Sequence, residues 1–301
     1  MHRFATKGLG AALVLSLAIT CAADAAAPGA AAPARPGPER LTGEQVEALF
    51  TPGNSPATRA AAIAAAVAAA QRGDGHAAFY LGVLHRHGRG HPAGVDDRNA
   101  DTARHWLQRC VEAPQCPRTA LDSLSELELV EGNHKAAMQW AQASATLGRE
   151  LARLQGKPDH DIGGYTGYLL KRNYEYLPKS GRDVLVEGWF GEFLAARGKQ
   201  LDRMLAYAHD SGSDDSAIAD RHQAAQLNRV PRKPALGLYL LRMSPSGGQP
   251  ESVLLVEALP TPSAVLGLEG VARRFEGHAY VPGTANERNH VTVPIVFRAR
   301  Y

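Results

Sequence analysis

The sequence predicts a multidomain protein: an all-α array of helical hairpins, then a small α+β domain in the order strand, strand, helix, strand. Three observations predict it. Ala103, Trp106 and Leu107 return as Ala137, Trp140 and Ala141, an offset of about 34 residues that marks stacked hairpins, each burying its apolar face only against a neighbour. Helical periodicity continues to residue 209 and then gives way to a polar, Pro-flanked stretch at 211–234. Finally, two strand-like runs at 236–243 and 252–258 flank Pro245-Ser246-Gly247-Gly248-Gln249-Pro250, a strong hairpin-turn signal.

Taken in order, the chain opens with Arg3 and Lys7, an apolar run at 9–19 and small residues through Ala25 and Ala27. This pattern predicts a secretory signal over residues 1–27. Lipidation at Cys21 and an uncleaved membrane anchor are the alternatives, and Asp24 interrupts the run that an anchor would need. An Ala/Pro tether occupies 28–39, and the helical domain covers 40–210. Within it, helices are expected at 42–50, at the alanine-rich 57–71 ending near Gly73, and at 161–176, 182–196 and 201–209. The region from 165 to 207 holds eight aromatics, including Trp189, Phe190 and Phe193, most of them expected to build core. Residues 211–234 read as a linker and 235–301 as the C-terminal domain. Its helix is expected at 263–274, with Val265, Leu268 and Val271 on one face, and its closing strand at 291–297, where Pro294 implies an edge or a bulge.

The net charge is +3 over 301 residues with no Lys/Arg block, so nucleic acid is not an expected partner. Cys110 and Cys116 lie at a turn set by Pro114 and Pro117. In an exported chain they fit a disulfide, with a metal pair or two buried thiols as alternatives. His85, His87 and His91, in HRHGRGH, are the best metal-ligand candidates. Their Gly-rich context favours a solvated inter-helix loop. Asp210, Asp214 and Asp215 lack the ligand spacing of a calcium loop. Asp159-His160-Asp161 and His209-Asp210 pair acid with imidazole but have no nucleophile motif beside them.

Leu81-Gly82, the Gly88/Gly90 turn, Val95-Asp96 and Ala103 followed by Trp106 together resemble a Sel-one-like repeat, a relative of the tetratricopeptide family. That resemblance covers residues 77–148 and implies a scaffold for protein partners. The C-terminal residues Gly248-Gln249-Pro250, Gly267-Leu268-Glu269, Arg273-Arg274-Phe275, Pro282-Gly283 and Val293-Pro294-Ile295-Val296-Phe297 resemble the C-terminal domain of TonB-type energy transducers. This second resemblance implies a periplasmic domain that pairs its sheet edge with a peptide segment, for example of an outer-membrane receptor. The partner-binding residues would be Val291, Val293, Pro294, Ile295 and Phe297. The chain departs from a transducer in lacking a long Pro-rich spacer and a histidine within the leader's apolar run.

The expectation is a non-enzymatic periplasmic adaptor that binds protein or peptide partners of the cell envelope. It needs no cofactor and associates with a membrane only if the leader is retained. The alternatives are a TonB-type energy transducer supporting outer-membrane transport and a cell-envelope enzyme with an unrecognised site.

Overall fold

The local chemistry of the helix ends sets the first half of the fold. Thr42 and Gln45 form a reciprocal capping box that starts α1 (Gly43–Phe50), and Ser55 caps α2 (Pro56–Gln71), whose first residue is proline. The alanine-rich α2 runs out at Gly73, which takes a positive φ of 98°. Asp74 then caps α3 (Gly75–His87) by accepting from the amides of His76 and Ala77, and its second oxygen accepts from the amide of Leu41. One carboxylate therefore joins the entrances of α1 and α3.

After a short 3-10 turn at Gly88–Gly90, the chain continues through α4 (Ala100–Val111), α5 (Thr119–Val130), α6 (His134–Leu154), α7 (Tyr165–Glu175) and α8 (Arg182–Asp210). Three strands follow: β1 (Ala235–Arg242), β2 (Ser252–Leu259) and β3 (His290–Phe297). This computed structural model describes residues 40–94, 96–156, 165–210, 234–243, 249–260 and 290–297. The expected signal and tether at 1–39, the linker at 211–233, the hairpin tip at 244–248 and the helix at 263–274 lie outside the described residues. Helices followed by a small sheet are the architecture observed.

The helices pack mainly against their neighbours in sequence. Each of α1, α3 and α5 packs on the helix that follows it, α7 packs on α5 and α6, and α8 packs on α6 and α4. Gly82 is required where α3 crosses α4, because a Cβ there would lie 2.6 Å from Leu107 Cγ. Gly88 is required twice over: its φ is +52°, and a Cβ would lie 2.3 Å from the backbone nitrogen of Arg98. The two helices expected at 182–196 and 201–209 are one helix of 29 residues. A lone glycine such as Gly198 costs a helix only about 1 kcal/mol, and Arg197 packs over the Trp140 ring, so the helix runs through.

Cys110 and Cys116 are joined by a disulfide with their Cα atoms 5.2 Å apart, closing the turn between α4 and α5. The closed loop is short, so a Cys110→Ser/Cys116→Ser variant should lose about 2–3 kcal/mol of stability. Urea unfolding under oxidising conditions measures it. A midpoint shift equal to that of the reduced wild-type chain would confirm that the bond is the cause.

Helix α5 occupies the centre. Its side chains are buried almost throughout, polar ones included, and several of its polar groups bind α4, α6, α7 and the sheet. Ser125 donates to the carbonyl of Ala137 on α6, and Glu128 binds Arg104 of α4. Glu126 binds Tyr165 and Arg172 of α7, and Asp122 accepts from Thr166 of the same helix. Ser123 points to the sheet.

The sheet has the order β2-β1-β3 and is antiparallel throughout. Leu238 and Leu240 of β1 and Val256 of β2 belong to the same hydrophobic core as Leu81, Leu107, Leu121 and Leu124 of the helices. Leu236 and Leu259 cluster with Ala141, Tyr165 and Leu169. All described residues fall in one compact unit beginning at Pro38. The polar stretch at 211–234 divides the sequence but not the core.

Candidate functional site

The sheet meets the helices around one buried carboxylate. In the β1–β2 ladder Leu238 faces Glu257 while Tyr239 faces Leu255, so Val256 is an extra residue on β2. Such a bulge shifts the alternation by one. Leu254 before the bulge, Val256 at it, and Glu257 and Leu259 after it all point toward the helices. Without the bulge Glu257 would point to the opposite face.

Glu257 is fully buried and its carboxylate is saturated. Oε1 accepts from Arg86 Nη2, from His87 Nε2 at 2.6 Å and from the amide of Ala258 at 2.7 Å. Oε2 accepts from the Ser123 hydroxyl at 2.8 Å. Arg86 Nη2 also donates to the Ala258 carbonyl at 3.1 Å. His91 completes the centre: its Nδ1 accepts from the Ala93 amide, which leaves Nε2 to donate to the Val256 carbonyl at 3.1 Å.

These contacts assign the protons. An ionised carboxylate can only accept, so His87 carries its proton on Nε2. Both protons of Arg86 Nη2 are then directed to Glu257 and Ala258, so the 2.7 Å approach of Nη2 to His87 Nε2 is that of two donors sharing the Oε1 acceptor. The Nδ1 atom of His87 is buried without a hydrogen-bond partner among the described residues. That position suits a lone pair and not a second N–H, so His87 is neutral and the pair Arg86–Glu257 carries the charges. Electrostatics agree. Burial, and then the Arg86 cation, hold His87 below its ordinary value against the pull of Glu257. Burial and the neighbouring His87 push His91 down to about 3. Burial by itself would raise the Glu257 carboxyl, but Arg86, His87 and Ser123 outweigh it and hold the group at about 2.

The sign of the pH dependence follows. Each histidine takes up its proton near pH 6.5 when unfolded but only at lower pH when folded. Their contribution is therefore complete above about pH 6.5 and is lost on acidification. The Glu257 contribution is complete above its ordinary 4.5 and is lost toward about 2. All three act in the same direction. The urea midpoint should be level from pH 8 to 7 and fall below 6.5, with each histidine contributing up to about 1.4 kcal/mol per pH unit. His91→Gln should flatten the upper part of that fall. A midpoint unchanged down to pH 5 would contradict this assignment of protons.

The histidines are thus placed differently from the expected solvated loop. His85 is half-buried, and burial lowers its pKa against the effect of Asp96. His87 and His91 are 4% and 2% exposed with rings 5.5 Å apart. The Gly88 turn folds the segment back under β2, and the imidazoles become internal donors. Among the described residues no group of three His, Cys, Asp or Glu side chains is placed to hold a metal ion.

Val291, Val293, Pro294, Ile295 and Phe297 lie on β3, opposite Leu241, Tyr239, Leu238, Gly237 and Ala235 of β1. β3 is an edge strand, and among the described residues no strand pairs with its outer side. Its first residue is tied to the helices, since His290 Nε2 and Arg242 Nη1 both meet Glu47 of α1, at 3.2 and 3.1 Å. Beside this contact a cleft of about 420 Å³ opens between the entrances of α1 and α3 and the strands, lined by Arg40, Glu44, His76, Tyr80, His290 and Thr292 among others.

Glu257 and Ser123 were not singled out from the sequence. The available signal was a lone carboxylate inside the apolar run Ser252-Val253-Leu254-Leu255-Val256-Glu257-Ala258-Leu259. Among the described residues no helix is long and apolar enough to cross a membrane. The chain matches no family model, no curated protein and no solved structure.

Proposed function

We propose that this chain is a non-enzymatic adaptor of the cell envelope, exported to the periplasm. In this reading a Sel-one-like helical array carries a TonB-like sheet, whose β3 edge receives an extended segment of a protein partner. The observation that carries it is the position of β3. It ends the sheet order, pairs with β1 alone among the described residues, and contains Pro294, a residue tolerated in strands mainly at edges. An edge of this kind binds peptides by main-chain pairing. β1, which carries this edge, packs against the helices through Leu238 and Leu240.

The test uses the full chain, because the sheet and the helices share a core. Backbone amide exchange is followed with and without an extended peptide from the periplasmic segment of an outer-membrane receptor. Added protection at residues 290–297 supports the reading. Binding seen by another method with no protection there would refute it.

A further inference from the structure

We propose that the cleft beside β3 is a side-chain pocket for an aromatic residue of the extended segment that pairs with this edge. The inference rests on the β3 reading for the existence of that segment and adds what selects it.

The pocket follows from the rows of the sheet. Leu254 of β2 faces Leu240 of β1, which faces Thr292 of β3, and side chains that stand opposite one another share a face of the sheet. For this row the face is the helical one. Leu240 belongs to the shared core with Leu254 packed against it, and Thr292 shares a hydrogen bond with the Tyr80 hydroxyl of α3. Leu240 is 3% exposed, whereas Thr292 is exposed. The layer between sheet and helices therefore ends at Thr292, and the cleft of about 420 Å³ lies there, within the usual size of a small-ligand pocket. A strand added to β3 would run about 4.8 Å further out. Its residue beside Thr292 faces the helices and enters the cleft.

The lining selects the guest. His76 and Tyr80 lie one turn apart on α3 with ring centroids 6.5 Å apart, and Leu41 and Val46 add aliphatic surface. Such walls favour an aromatic side chain. The fixed charges are balanced. Asp74 spends its two oxygens on the amides of Leu41, His76 and Ala77, which leaves Arg40 and Glu44, of opposite sign and both exposed, at the rim. A charged guest of either sign would meet one like charge, so a neutral one is preferred. Arg40 is held at the rim by its bond to the Tyr207 hydroxyl at 3.0 Å, where a guanidinium suits the face of an entering ring.

The probes are fluorescent peptides Lys-Thr-Ser-Thr-X-Thr-Ser-Thr-Lys, with X phenylalanine, alanine, lysine or glutamate, titrated into the full chain. The phenylalanine peptide should bind at least about tenfold more tightly than each of the others and should protect residues 290–297 from amide exchange. Thr292→Trp places a ring of this chain's own in the pocket and keeps the main-chain edge, so in that variant the phenylalanine peptide should fall to the affinity of the alanine peptide. Should Thr292→Trp not fold, nuclear Overhauser contacts in the wild-type chain decide: the peptide's ring should contact Tyr80 and Thr292, and their absence overturns the proposal. Equal binding of the four peptides with protection at 290–297, a preference for the lysine or glutamate peptide, or a phenylalanine preference that survives Thr292→Trp overturns the pocket and leaves the β3 reading standing. No binding of the phenylalanine peptide at about 1 mM likewise overturns the pocket. Binding of that peptide without protection at 290–297 overturns both.

Discussion

Glu257→Ala is expected to lower the unfolding free energy by about 3–5 kcal/mol, because it leaves the Arg86 guanidinium buried beside two neutral imidazoles with no counter-charge from the strand. The loss exceeds that of the side chain's own contacts, since the Ser123 hydroxyl also loses its acceptor. Replacing both charges with apolar residues of similar size, Arg86→Met with Glu257→Leu, should recover most of the loss. Paired buried charges add little net stability, but an orphaned one is costly. Urea unfolding of Arg86→Met, of Glu257→Leu and of the double variant measures this directly. Additive losses would show that the two groups do not depend on each other.

Ending the chain after Asp210 should be more damaging still, although it removes none of the described helices. It uncovers the faces of α1, α3, α5 and α7 on which the sheet rests, with Leu81, Leu121 and Leu124 in the shared core and Tyr165 and Leu169 beside Leu236 and Leu259. A few hundred Å² of apolar surface at about 25 cal/mol per Å² is on the order of 5–10 kcal/mol. The melting temperature of the fragment should fall by about 10–20 °C or its cooperative transition should be lost. A fragment that melts like the full chain would mean that the helical array is stable without the sheet.

The parts of this fold legible in the sequence are those set by local chemistry. The body of α2 follows from its alanine run and its end from Gly73, the disulfide from two cysteines at a proline turn, and the β1–β2 hairpin from two apolar runs around a Pro/Gly turn. The buried centre was not legible, for two physical reasons. Regular alternation along β2 sends Glu257 away from the side it takes, and the one-residue bulge at Val256 that reverses this has no glycine to announce it. The segment HRHGRGH has the composition of a solvated loop. It becomes interior only because a sheet more than 160 residues later in the chain lies over it and supplies Glu257 and the Val256 carbonyl as partners.

The claim on which the rest depends is that sheet and helices are one cooperative unit, joined through Glu257. Native-state amide exchange under increasing urea tests it most directly, with Leu238 and Leu240 reporting on β1 and Leu121 and Leu124 on α5. A single unit predicts that these amides open with the same free energy and the same urea dependence, equal to those of global unfolding. If the β1 amides instead exchange through an opening several kcal/mol cheaper, with a smaller urea slope, while α5 stays protected, the sheet is a separable module resting on the helices and the account is wrong.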